Sequence, residues 1–168
     1  MKTFTSISPA EMGGNPFHRI GTDWMLITAG DENSANRMTA SWGGLGVLWN
    51  KPVVFAFVRP TRYTYEFLER EDTFSLSFFP DESTRQALTL CGRVSGRDTD
   101  KIADAGLTLR TDAESPFFDE ADSVPMTLLV YDVLMALEQE GNLRRRTDRL
   151  PGAREGLDAP KTCFWLEA

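Results

Sequence analysis

Apolar and polar residues alternate along much of the chain, and the pattern predicts a series of short β-strands. Residues 72–79 are the clearest case, because Phe74, Leu76 and Phe78 alternate with small hydroxyl residues at the two-residue period of a half-buried strand. Compact apolar runs at 24–29 and 52–58 are typical of buried strands. Further strands are predicted at 38–42, 107–111 and 124–133, and the glycines at 43–46 are predicted to break the strand before them.

Three short helices are predicted between these strands. Residues 62–70 have helical apolar spacing, residues 81–90 are predicted to stop at Gly92, and a helix capped by Asp98 or Thr99 is predicted to end at Gly106. The helices are too few to alternate with the strands as βα units do. We therefore predict a mainly β protein, an antiparallel barrel with a few short peripheral helices.

Composition limits the partners and the compartment. The 168 residues suit one domain, and with 41% hydrophobic and 26% charged residues they are typical of a soluble globular protein. The net charge of -7 disfavours nucleic acid and anionic membranes as partners. The longest apolar stretch, 126–137, is too short to cross a bilayer, and residues 1–10 do not resemble a signal peptide. A cytoplasmic location is the expectation.

Cysteine and histidine are scarce, which limits the kinds of catalytic and metal-binding site that the chain can form. Cys91 and Cys163 are the two cysteines and His18 is the one histidine. A disulfide framework, a cysteine-rich zinc site and a paired-histidine metal site are thereby excluded, and we expect no metal. An incidental role for His18 is preferred to a catalytic one. An enzyme of this composition must use carboxylates or a bound cofactor.

The segment 38–44 places hydroxyls, a small residue and an indole on one strand before a pair of glycines. Thr39, Ala40, Ser41 and Trp42 together predict a surface that holds a flat polar aromatic ring, with Trp42 as apolar cover. The alternative is a strand end with a buried tryptophan, and the pattern alone favours that alternative.

Two further segments predict a phosphate site. Arg59, Arg62 and Thr64 lie at the start of a predicted helix, where guanidinium and backbone N–H groups suit an anion; solvated surface arginines are an equal alternative. The loop 91–101 brings Arg97 and Lys101 towards the same phosphate, although its glycine spacing matches neither a Walker loop nor a dinucleotide fingerprint.

Two other features of the chain favour unremarkable roles. Cys91 is either a redox thiol or, as such positions favour, an inert buried side chain. The arginines at 144–146 fit a solvated tail better than a nucleic-acid contact.

Taken in order, these segments resemble the flavin reductase-like, FMN-binding split-barrel family, particularly its flavoredoxin-type branch. The matching motifs lie at 36–44, 50–52, 59–67 and 95–101, and the resemblance runs from about 24 to 119. It implies an antiparallel split β-barrel that forms a homodimer and binds one FMN per protomer near the dimer interface.

The resemblance also implies roles for individual residues and an activity. Thr39, Ala40, Ser41 and Trp42 match the segment along the isoalloxazine ring and ribityl chain. The phosphate segment is matched by Arg59, Arg62, Tyr63 and Thr64, with Lys101 as a further cation, and Cys91 and Gly92 fall where the chain passes the flavin. The implied activity is electron transfer from NADH or NADPH through FMN to a small-molecule or protein acceptor, with no catalytic acid or base assigned. The alternative is a flavin-binding or electron-carrier protein without efficient NAD(P)H turnover.

The C-terminal part departs from the family. We divide the chain into an N-terminal segment at 1–23, the split-barrel domain at 24–133 and an atypical tail at 134–168. The family's tyrosine, histidine and glycine-containing last strand are missing from 143–168. Read one nucleotide later, codons for 143–150 and 162–165 permit sequences of the family type, so we hypothesise that the tail is out of frame.

Overall fold

The computed structural model describes residues 2–48, 51–79, 82–128 and 162–167. Its largest element is an antiparallel sheet of six strands in the order β1-β10-β9-β6-β2-β3. These strands are β1 (Phe4–Ile7), β2 (Met25–Gly30), β3 (Ala35–Ala40), β6 (Thr73–Ser77), β9 (Ser123–Leu128) and β10 (Thr162–Glu167). The sheet confirms the prediction of a mainly β, antiparallel protein.

The middle of the sheet is buried on both faces. All six residues of β2 are buried, as the continuous apolar run at 24–29 predicts. Met25, Ile27 and Ala29 pack into one hydrophobic core and Leu26 into a second, because successive side chains of a strand point to opposite faces. The register pairs Met25 with Ala40 and Leu26 with Thr39. The end of β3 is therefore held against a strand with no exposed residue.

Two small antiparallel pairs lie beside this sheet: β4 (Gly43–Leu48) with β5 (Lys51–Ala56), and β7 (Leu109–Arg110) with β8 (Phe117–Phe118). The β4–β5 hairpin packs Leu45, Val54 and Ala56 against the first core. Within the described ranges the strands do not close into a barrel, so the mainly β class is confirmed but the barrel is not seen as a closed ring.

The strand before the glycines does end, at Ala40, but the predicted break at 43–46 is misplaced, because these glycines form the start of the next strand, β4. The glycine serves a close approach instead, since a Cβ on Gly43 would overlap the carbonyl oxygen of Phe55 on the paired strand. A glycine in a strand marks either a break or such a close approach, and the sequence does not distinguish the two.

Four helices occur in the described residues: α1 (Pro16–His18), α2 (Tyr63–Leu68), α3 (Arg85–Arg93) and α4 (Lys101–Ala105). Short helical turns at Pro9–Glu11, Arg19–Asp23 and Glu82–Thr84 add to them. Two predicted boundaries are wrong. Helix α3 continues through Gly92 to Arg93, and α4 is capped by Asp100, whose carboxylate accepts bonds from the next turn, rather than by Asp98 or Thr99. The predicted end at Gly106 is confirmed by its left-handed conformation.

The two ends of the chain meet in the sheet. Strand β1, from the segment 1–23, pairs with β10, which also pairs with β9. Residues 129–161 and 168 lie outside the described residues, so most of the segment 134–168, and with it the hypothesis of an out-of-frame tail, is not described.

Candidate functional site

A cleft lies beside the end of β3. One wall is formed by Met38, Thr39 and Ala40 at the end of the strand, continued by Ser41 and Trp42; the other is formed by Phe57, Val58, Arg59 and Arg62, which follow β5. The enclosed volume is about 240 Å³. We call this the Trp42 cleft, since 53% of the Trp42 surface remains exposed at its mouth. The alternative of a strand end with a buried tryptophan, which the pattern alone favours, is therefore wrong.

Arg59 and Trp42 contact each other across the cleft. The guanidinium carbon of Arg59 lies 5.5 Å from the centre of the Trp42 ring, within the range of a cation–π interaction. This contact links the two walls of the cleft, because Trp42 belongs to one wall and Arg59 to the other.

Helix α3 lies directly against β3 behind the cleft. The hydroxyl of Thr39 donates a hydrogen bond to the carbonyl of Leu88, and a Cβ on Gly92 would come 3.4 Å from the Cβ of Thr39. Gly92 thus lets the helix approach the strand closely. The Thr39 side chain fixes the helix and at the same time lines the cleft.

A second, smaller hollow adjoins the cleft and shares Met38 and Arg62 with it. We call it the cation hollow, because three basic side chains, Arg62, Arg93 and Lys101, line it. Its volume is about 100 Å³, and Thr61, Tyr63, Thr64, Val94 and Ser95 complete its wall. The side chain of Arg62 is held by a bond of 3.2 Å from its Nη1 to the carbonyl oxygen of Gly92.

Lys101 is a buried cation in this hollow. Its side chain is 3% exposed, and its Nζ donates to the carbonyl oxygens of Arg37 at 3.0 Å and Cys91 at 3.2 Å. An ammonium group has three donors, and within the described residues the third has no bonded partner. Burial lowers the pKa of Lys101, Cys91 opposes this shift, and the positive charges of Arg37 and Arg62 lower the pKa further.

Cys91 is buried beside these cations. It is 1% exposed, and burial raises the pKa of its thiol, although Lys101 and Arg37 oppose the shift. A buried thiol with a raised pKa is a poor nucleophile. The geometry therefore favours the inert alternative over a redox thiol.

The backbone around the cation hollow is supported by buried polar contacts. The Nδ2 of Asn36 donates to the hydroxyl oxygen of Thr64 at 2.9 Å, and Thr64 is fully enclosed at 1% exposure. A Cβ on Gly96 would overlap Asn36 Oδ1, so the loop before α4 packs closely on this pair.

The structure gathers nine of the eleven predicted site residues at the two hollows. Cys91 and Gly92 line neither hollow, but their carbonyl oxygens hold Lys101 and Arg62. Arg97, expected to close over the phosphate, lines neither hollow and instead forms an ion pair with Glu66.

Some residues at the site were not among the predicted site residues. Those that line the two hollows are Met38, Phe57, Val58, Thr61, Arg93, Val94 and Ser95. Asn36 and Arg37 line neither hollow but hold Thr64 and Lys101. Phe57 and Val58 were assigned only to a buried strand. The others lie in the segments singled out above, although Arg37 occupies the unspecified position between Asn36 and Met38. His18 is outside both hollows and its Nδ1 lies 3.0 Å from Asp23 Oδ2.

The described ranges offer neither a metal-binding cluster nor a membrane-spanning helix. They contain no group of three or more His, Cys, Asp or Glu side chains placed to hold a metal ion. None of their helices has the length and apolarity to cross a membrane.

The sequence from 17 to 132 matches the family described as the flavin reductase like domain. This protein belongs to that family. The matched range contains both hollows, and the resemblance derived from the motifs is confirmed. No curated protein sequence gives a significant match.

Several solved structures have a similar fold. An FMN-binding domain of a flavin reductases-like enzyme from Shewanella baltica has a TM-score of 0.61 at 18% identity, over 76% of this chain and 65% of that one. Flavoredoxin of Desulfovibrio vulgaris has a TM-score of 0.54 at 25% identity, over 64% and 59%. A flavin-reductase-type protein with a split barrel domain from Shewanella frigidimarina has a TM-score of 0.57 at 16% identity, over 90% and 68%. The chain thus spans only about two thirds of the length of these proteins.

Proposed function

We propose that this protein binds FMN and passes electrons from NADH or NADPH through the flavin to a small-molecule or protein acceptor. The observation that carries the proposal is the pair of adjoining hollows, one partly apolar and one walled by three cations, which share Met38 and Arg62. FMN has the same division, since a flat ring system is joined through a ribityl chain to an anionic phosphate.

The cation hollow fits a phosphate by its charge and by its available donors. Arg62 and Lys101 each make backbone contacts that fix the side chain, which lowers the entropy cost of ordering them around a ligand. Guanidinium and ammonium donors form strong charge-assisted bonds to phosphate oxygens. We propose that Arg62, Arg93 and Lys101 hold the phosphate, with Thr64 and Ser95 beside them.

The Trp42 cleft fits the ring system by its shape and its mixed wall. Met38, Phe57 and Val58 offer apolar contact, while Ser41 and the backbone of 39–42 offer polar groups near the strand end. Ligand sites are characteristically apolar with a few polar groups that fix orientation. We propose that Trp42 covers the ring and that Arg59 holds the Trp42 side chain in place.

Bound FMN supplies reversible acceptance of two electrons, so that a nicotinamide can give up a hydride and an acceptor can be reduced. The chain's own contribution is to bind the cofactor, orient it and shield part of it from water. This division of labour requires no histidine base, and His18 lies outside the cleft.

The proposal includes a homodimer. The resemblance to the family implies it, and three large apolar side chains, Phe17, Trp42 and Val47, are exposed in the described residues and available for such an interface. Sedimentation equilibrium of the purified protein tests this part: a mass of two chains supports it, and a monomer at micromolar concentration contradicts it.

The test of function is anaerobic reduction followed by absorbance. The protein is purified, its flavin band is recorded before and after adding FMN, and NADH and then NADPH are added without oxygen. Bleaching at a rate above that of free FMN supports a reductase. A bound flavin that neither nucleotide bleaches contradicts NAD(P)H turnover and supports the electron-carrier alternative. A chain that binds no FMN contradicts both.

A further inference from the structure

Arg37 is a buried cation whose charge is largely unmatched. It lies on β3 and is only 4% exposed, yet its Nε and Nη1 are buried without a hydrogen-bond partner. Its Nη2 lies 3.6 Å from Asp100 Oδ1. That oxygen also accepts from the backbone N–H groups of Ile102 and Ala103 at 3.0 and 3.4 Å. Asp100 is therefore shared between Arg37 and the cap of α4.

The groups around Arg37 increase the excess of positive charge. Lys101, also buried, has its Nζ 3.0 Å from the carbonyl oxygen of Arg37, and Arg62 lies close enough to depress the pKa of Lys101. Burial raises the pKa of the Cys91 thiol, so this neighbour stays neutral at neutral pH and offers no negative charge. Arg37 and Arg62 thus both act on Lys101 as positive charges, and the carboxylate that pairs with Arg37 is that of Asp100, whose side chain is 70% exposed.

Such an arrangement is unfavourable in the protein without a ligand. Burying a charge costs solvation energy, and a distant, shared partner recovers little of it. A neutral side chain of similar shape at position 37 would avoid that cost. The same buried charge projects a field that water screens weakly. Arg37 lines a separate hollow with Arg97 and Asp100, but its charge also reaches the cation hollow, because it lowers the pKa of Lys101, which lines that hollow.

We propose that Arg37 is a positioning residue whose buried charge strengthens anion binding in the cation hollow without touching the anion. It does so by adding to the positive potential at Lys101, whose ammonium is held beside it by the backbone carbonyl of Arg37. The inference rests on the proposed function in that the anion is the phosphate of FMN. It assigns to Arg37 a share of the preference for FMN over riboflavin, which lacks the phosphate.

The experiment compares flavin binding by the full chain and two Arg37 variants. Dissociation constants for FMN and riboflavin are measured by quenching of flavin fluorescence, and thermal unfolding of the flavin-free protein is recorded in parallel. Arg37→Met removes the charge and keeps an unbranched side chain, and Arg37→Lys keeps the charge. Arg97→Met is the matched control, because Arg97 is half-exposed and paired with Glu66.

Arg37→Met is expected to weaken FMN binding roughly tenfold or more and riboflavin binding hardly at all, with no fall in the unfolding temperature of the flavin-free protein. Arg37→Lys is expected to restore most of the preference, and Arg97→Met to leave it unchanged. Equal weakening of both flavins by Arg37→Met, or failure of Arg37→Lys to restore the preference, overturns the inference. A wild-type protein that binds FMN no better than riboflavin overturns the proposed phosphate site instead.

Discussion

Replacing Arg62 by alanine tests the phosphate assignment directly. Arg62 lines both hollows, and its Nη1 donates to the carbonyl oxygen of Gly92 at 3.2 Å. A hydrogen bond to a charged group contributes about 1.5–3 kcal/mol. The Arg62→Ala protein is therefore expected to bind FMN roughly ten- to a hundredfold more weakly. Riboflavin binding should change by less than about threefold, because riboflavin has no phosphate to lose a contact.

The fold should tolerate this change. The freed carbonyl of Gly92 is only partly buried and can bond to water, so the cost of an unsatisfied buried group does not apply. Circular dichroism and thermal unfolding of the variant check this point. A loss of more than a few degrees would mean that Arg62 is needed for folding, and the binding data would then be read only at lower temperature.

The assay is a titration of each flavin, followed by fluorescence quenching, at fixed ionic strength because charge interactions are screened by salt. Arg70→Ala is the matched control. Arg70 is an exposed arginine just beyond the same helix, with its guanidinium carbon 4.5 Å from the centre of the Phe67 ring. Equal weakening of FMN and riboflavin by Arg62→Ala, or a phosphate-specific loss in Arg70→Ala as well, would refute the reasoning.

Three further predictions concern the surroundings of the site. Gly96→Ala should lower the unfolding free energy by about 1–3 kcal/mol in denaturant titration, because a methyl group there overlaps Asn36; an unchanged midpoint would contradict the close packing. In a Cys163→Ser background, Cys91 should react with a thiol reagent only after unfolding, since it is buried and its pKa is raised; rapid labelling of the folded protein would contradict this. The Asp31 carboxylate accepts backbone hydrogen bonds that lower its pKa in the folded protein. Its stabilising effect is therefore fully present above the pKa of the unfolded chain, about 3.9, and is lost as pH falls through the lower pKa of the folded protein. Asp31→Asn should therefore lower the melting temperature at neutral pH, with the difference shrinking below about pH 4.

The sheet and several helix positions follow from local pattern. The continuous apolar run at 24–29 predicts the fully buried strand β2, and the two-residue alternation at 72–79 predicts β6. Helix α2 likewise begins and ends within a few residues of its predicted limits. These elements were predictable because each satisfies its own hydrophobic pattern before any long-range contact is considered.

Glycines were the main source of error, for one physical reason. Gly43 and Gly92 were both predicted to interrupt an element, yet one begins a strand and the other lies inside α3. In both places the missing Cβ lets another segment of the same chain pack closely. Gly43 packs against Phe55, and Gly92 packs against Thr39. The need for such space arises from tertiary packing, which the local sequence does not contain.

The burial of Arg37 and Lys101 could not be predicted from the hydrophobic pattern of the sequence. Arginine and lysine are almost never fully buried without a partner, so the sequence did not predict that Arg37 is buried. Lys101 was predicted as a site residue from its motif and not from its burial. The structure nevertheless encloses both, with two Arg37 nitrogens unbonded. A folded chain departs in this way from consistency between pattern and burial chiefly where function requires it. The burial of Arg37 beside Lys101 is therefore the observation behind its proposed role, and an anion bound near Lys101 is expected to offset part of the cost of burying both charges.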